Sequence, residues 1–206
     1  EKCPSIKEIH LSYCDKFTEE SFKAIGSKCK LLEMFHAWDC ANSFTEKGVE
    51  YLRGCESLRN LSVINCGELS DHAVELIVKS FPELEYLRLT HCGITSLPED
   101  IGNHLKCLKQ LNFGYNKLTK LPRSIANLAD TCKEFYISGN PLQEPPIEIA
   151  EESLEAVKRY FEELDRGSAI STQTVSESDA TKGTVQFGKE WKLLDMKLKA
   201  PRSNHS

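Results

Sequence analysis

The sequence predicts an α/β fold: a right-handed curved solenoid, with a parallel β-sheet along its concave face and helices and turns on its convex face. Two observations carry this expectation. One apolar pattern returns six times in a fixed register, and the linkers between copies keep to two closely similar lengths. The clearest copy is F-P-E-L-E-Y-L-R-L-T-H-C, residues 81 to 92. Leu87 and Leu89 alternate as in a short strand buried on one face, Leu84 leads in, and Cys92 closes the unit. A fixed period of this length marks an architecture in which no unit buries its apolar side alone.

Stacking the chain gives copies that start at residues 3, 29, 55, 81, 105 and 129. The strand positions are Ile6, Ile9 and Leu11, then Leu32, Phe35 and Ala37, then Leu58, Leu61 and Val63. After the copy at 81 come Leu108, Leu111 and Phe113, and finally Cys132, Phe135 and Ile137. Each copy closes on a small polar or thiol side chain: Cys14, Cys40, Cys66, Cys92, Asn116 and Asn140. Over roughly residues 3 to 148 this pattern resembles the leucine-rich repeat family. The resemblance implies that these six side chains turn inward and donate hydrogen bonds to turn carbonyls that would otherwise be buried unpaired.

The linkers fall into two types. Those starting at Thr18, Thr45 and Ser70 predict helices, with these residues as N-caps and acidic residues in the first turn. Phe22 with Ile25, Val49 with Leu52, and Val74 with Ile77 form the apolar stripe that packs behind each strand. These first three repeats resemble the cysteine-containing subtype of F-box/leucine-rich-repeat proteins. After Cys92 the unit shortens from 26 to 24 residues and carries L-P-x-x-I at Leu97-Pro98 and Leu121-Pro122, like the typical subtype. Less helix is expected there, with the junction inside the repeat that begins at Phe81.

Residues 1–148 are therefore expected to be the repeats and 149–166 a capping helix. Leu154, Val157, Phe161 and Leu164 share one helical face, and a solenoid needs its last unit covered. The segment from Asn140, with its N-P-L-x-x-P-P start and L-E-A-V-x-x-Y-F helix, also resembles the end of the repeat domain in Roco-type signalling proteins. Residues 167–206 are polar and nonperiodic, as in a disordered tail, and 189–199 fit a short amphipathic helix. Without an initiator Met or an N-terminal cap, the chain reads as a piece of a longer protein.

Composition removes several function classes. A net charge of −5 gives no electrostatic reason to expect nucleic acid, and no apolar run reaches the length of a membrane span. Nine cysteines are an odd number, and the first six are spaced by 11 and 15 residues in turn, which is the repeat period. No C-x-x-C pair occurs, so neither disulfides nor local zinc chelation is expected. Buried thiols point to a reducing compartment, cytoplasm or nucleus. Gly183, Gly188 and Lys189 have phosphate-loop spacing, but Glu190 stands where Ser or Thr must ligate magnesium. His10 and His36, near Asp39, lack a third fixed ligand for a metal. No catalytic constellation, cofactor, metal or small-molecule substrate is expected.

The register also names the side chains that leave the sheet toward the concave side. Its candidate partner-binding residues are His10, Tyr13, His36, Trp38, Asp39, Tyr86, Arg88, His91, Tyr115 and Tyr136. Exposed aromatics with an arginine are the residue types enriched at interaction hot spots. The expected function is a non-catalytic scaffold or interaction module for a protein partner in signalling. The two resemblances imply finer alternatives: substrate recognition in a cullin-type ubiquitin ligase, or regulation within a Roco-type GTPase or kinase.

Overall fold

The computed structural model describes residues 5–14, 16–40 and 44–172, with side chains to residue 167. By contacts the chain divides into Glu1–Ala169 and Ile170–Ser206, and the repeats lie in the first unit. The amphipathic segment expected at 189–199 and the phosphate-loop near-match lie outside the described residues.

Six strands form one parallel sheet in sequence order: β1 (Glu8–Ser12), β2 (Met34–Trp38), β3 (Asn60–Ile64), β4 (Tyr86–Thr90), β5 (Gln110–Asn112) and β6 (Glu134–Tyr136). Glu8, Met34, Asn60, Tyr86, Gln110 and Glu134 stand side by side, so the strands advance by one repeat without slippage. Within the sheet each strand therefore pairs only with the strands of the adjoining repeats, as the repeat pattern requires. Phe35, Leu61, Leu87 and Leu111 form one fully buried column, and Leu32, Leu58, Leu84 and Leu108 another. At the edge strand, Ile6, Ile9 and Leu11 are half-buried against the same core.

The convex side changes where the linkers change. The first three linkers fold as α1 (Glu19–Lys28), α2 (Glu46–Leu52) and α3 (Asp71–Ser80). Thr45 Oγ1 accepts from Gly48 N at 3.2 Å, and Ser70 Oγ accepts from Ala73 N at 3.1 Å, so both cap their helices. The shorter linkers leave room for a single turn, α4 (Ile101–His104), and then for a 3-10 helix (Arg123–Leu128). The strands shorten with them, from five residues to three.

The residue just before the closing Cys or Asn of each repeat is left-handed: Tyr13, Asp39, Asn65, His91 and Tyr115 have φ between 52° and 56°, and Gly139 holds 77° in the sixth. This kink breaks the two-residue alternation of the strand, so that the next residue turns back into the core. The inward ladder follows from it. Cys14, Cys40 and Cys66 point Sγ at the carbonyls of Ser12, Trp38 and Ile64, at 3.5, 3.4 and 3.3 Å. Asn116 does more: Nδ2 donates to the carbonyls of Leu89 and Phe113 at 2.8 Å each, and Oδ1 accepts from Cys92 N at 3.0 Å and Ile94 N at 3.2 Å. Asn140 repeats this with Phe113 O, Ile137 O and Leu118 N.

Past the last strand the segment expected to form one helix divides into α5 (Ile147–Glu152) and α6 (Leu154–Thr172). Ser153 is extended, and its hydroxyl accepts from Ala156 N at 3.1 Å, capping the second helix. The break lets Leu154, Val157 and Phe161 enter the core beside Ala150. Arg123 of the 3-10 helix holds this arrangement from the side, with its guanidinium 5.4 Å from the Phe161 ring and paired to Asp165.

Candidate functional site

The concave face is a grid whose columns are strands and whose rows are register positions. The first row is Glu8, Met34, Asn60, Tyr86, Gln110 and Glu134; the second is His10, His36, Ser62, Arg88, Asn112 and Tyr136. Trp38 stands in the third row beside Ser12 and Ile64. The left-handed residues Tyr13, Asp39, Asn65, His91 and Tyr115 form a rim along the ends of the strands. Neighbouring strands lie about 4.8 Å apart, so side chains of one row touch.

The candidate residues gather into two groups. At the N-terminal end the His10 and His36 rings are 5.7 Å apart, and the Tyr13 and Trp38 rings 5.5 Å apart. Toward the middle, His91 and Tyr115 stack at 4.5 Å with planes 8° apart, and Tyr115 lies over Gly139, where an added Cβ would come within 2.6 Å of its ring. Arg88, His91, Tyr115 and Tyr136 line a depression of about 400 Å³ together with Ile64, Thr90, Asn112, Gly114 and Ser138. Tyr86 stands one row away, and Asp39 is turned along the rim, where its Oδ1 accepts from Asn65 Nδ2 at 3.0 Å.

Two outward positions are not surface. Ser62 and Thr90 are buried, at 5% and 7% exposure; Ser62 stands between the longer His36 and Arg88 of its row. Asn112 and Ser138 join the depression although neither has a residue type that marks a hot spot; the register alone finds them.

Burial pushes the His36 imidazole below its ordinary pKa, helped by the neighbouring His10 and Arg88. His10 Nε2 sits 3.3 Å from Glu8 Oε2. Among the described residues no group of three His, Cys, Asp or Glu is placed to hold a metal ion, and no helix is long and apolar enough to cross a membrane. The thiols are held differently from the face. Burial raises Cys92 to about 12, with Cys66 adding to it, and raises Cys55 and Cys132 to about 11, whereas Cys107 is exposed.

Residues 82–142 match the family model described as leucine rich repeat, and the same register runs through all six strands. The fold is a leucine-rich-repeat solenoid. No curated protein matches the chain. Among solved structures, the plant peptide hormone receptor RGFR1 in complex with RGF2 is similar at a TM-score of 0.46 and 19% identity. That match covers 68% of this chain and 21% of the receptor chain.

Proposed function

We propose that this chain is a non-catalytic interaction module, a scaffold that receives a protein partner on its concave face. One observation carries the reading. Six large apolar side chains are exposed among the described residues, and five of them, Tyr13, Trp38, Tyr86, Tyr115 and Tyr136, belong to the strands and rim of this one face. A sheet face that met only water would gain nothing from aromatic rings, which expose apolar area and order water around it. Rings of this kind supply large contact area at little cost in side-chain entropy, which is why they anchor interfaces. The rest of the candidate set, His10, His36, Asp39, Arg88 and His91, adds polar contacts between them.

The test uses the partner recovered with the intact chain. Changing Trp38→Ala together with Tyr86→Ala should weaken its binding by about tenfold or more, the loss usual when anchors are truncated. Leu31→Ala, which removes the sixth exposed apolar side chain from the turn before β2, should leave it unchanged. Equal affinity of the double variant and the wild type would remove the concave face from consideration. Cytoplasm or nucleus fits a fold whose ladder needs reduced thiols at Cys14 and Cys66. The thiol-type repeats with full helices favour a second, finer reading, substrate recognition in a cullin-type ubiquitin ligase. Co-purification with an F-box protein and a cullin tests it.

A further inference from the structure

We propose that the row Arg88, Asn112 and Tyr136 receives a side-chain carboxylate, from Asp or Glu, in an extended segment of the protein partner. This rests on the concave face being the partner surface, and it names the chemistry the partner must bring.

The charges of the surrounding structure make Arg88 an exception. In the turns that lead into the strands, cations are matched to the neighbouring repeat: Lys7 to Glu33 at 2.7 Å, Arg59 to Glu83 at 2.7 Å, Lys109 to Glu85 at 2.5 Å. Arg88 has no carboxylate within 4.0 Å among the described residues. Its Nη2 donates to Gln110 Oε1 at 3.5 Å, a long contact, and the Gln110 amide nitrogen is itself engaged by Glu134. Its Nε is buried without an acceptor, and so is the hydroxyl of Ser62, its register partner on β3. An arginine left in this state in a chain of net charge −5 lacks an acceptor rather than a place in the core.

The neighbours supply the rest of an anion site. Arg88, Asn112 and Tyr136 are register partners on β4, β5 and β6. Asn112 Oδ1 accepts from Gly114 N at 3.0 Å, which leaves Nδ2 as the donor end of that amide. The exposed Tyr136 brings a hydroxyl. No Asp or Glu lines the depression these residues share. The acids on the rest of the face are held elsewhere: Glu8 by His10, Asp39 by Asn65, Glu134 by Gln110. The His91–Tyr115 stack walls the depression on one side. One guanidinium balances one carboxylate with a two-pronged hydrogen bond. A phosphate or a polyanion would need further cations, and Glu134 stands in the adjoining row.

The experiment selects binders to the intact chain from a random-peptide display library. The expected binders share one Asp or Glu. Replacing that residue by Asn or Gln, or changing Arg88→Gln, should each weaken binding by about tenfold to a hundredfold. Combining the two should cost little more than either alone. Arg88→Lys should recover part of the loss, and Tyr136→Phe should give a smaller one. Binders without a shared acid, no binders at all, or full binding to the Arg88→Gln variant would overturn the proposal. If Trp38→Ala with Tyr86→Ala abolishes binding while Arg88→Gln does not, the concave face stands and the carboxylate falls. If neither change matters, both readings fall. Should Arg88→Gln fail to fold, the substitution on the peptide decides the matter alone.

Discussion

Asn116 and Cys66 occupy equivalent positions in the ladder and satisfy the turn backbone with unequal chemistry. The amide makes strong bonds to carbonyls and N–H groups at once; the thiol, a weaker donor, reaches the Ile64 carbonyl at 3.3 Å. Removing the amide orphans buried groups on two repeats, so Asn116→Ala should cost on the order of 3 kcal/mol, against about 1 kcal/mol for Cys66→Ala. Chemical denaturation of the two variants measures this difference. The ladder was legible in the sequence because its period is rigid. The left-handed residue beside each ladder position was not, since Tyr13 and Tyr115 have none of the residue types that announce a positive φ. Thiol reactivity gives a second prediction. With Cys55, Cys92 and Cys132 raised to about 11 or 12 by burial, they should resist alkylation of the native protein, while the exposed Cys107 reacts first. Peptide mapping by mass spectrometry reads the order.

His36 adds a pH dependence of known sign. Its folded pKa lies below the ordinary 6.5, so the unfolded chain takes up a proton first as pH falls. The contribution is fully present above 6.5 and is lost below it. Denaturation midpoints between neutral and mildly acidic pH should therefore fall less for His36→Asn than for the wild type.

At the scale of elements, the convex helices stack so closely that glycine is required between them. A Cβ at Gly26 of α1 would lie 1.8 Å from the Tyr51 carbonyl of α2, and one at Gly102 of α4 would lie 1.7 Å from the Ser124 carbonyl of the 3-10 helix. Neither obstacle is a flexible side chain, so the layers must separate. Gly102→Ala should lose about 1 to 3 kcal/mol by the same measurement, even though alanine favours helix. The change from helix to single turns is legible in the sequence, because two residues vanish from the repeat and L-P enters it. The division at Ser153 was not. A serine inside E-E-S-L-E caps or continues a helix on local grounds alike, and packing of Leu154 and Phe161 into the last repeat decides between them.

Across the whole solenoid, one surface carries the exposed aromatics and Arg88, which has no ion pair among the described residues, while the convex helices bury their apolar stripes. A repeat architecture makes that division automatic: whatever leaves the strands on one side lines a single continuous surface. The register therefore showed in advance which residues share the face. It did not show that His91 and Tyr115 stack, or that Ser62 and Thr90 close over, since both depend on side-chain lengths in adjoining columns. The most direct test of the concave interface is site-specific photo-cross-linking in living cells, with the photoreactive residue placed at Tyr115 on the rim or at Glu50 on α2. Discrete protein adducts from the Tyr115 position, absent from the Glu50 position, are the predicted result; adducts from Glu50 with none from Tyr115 would contradict it.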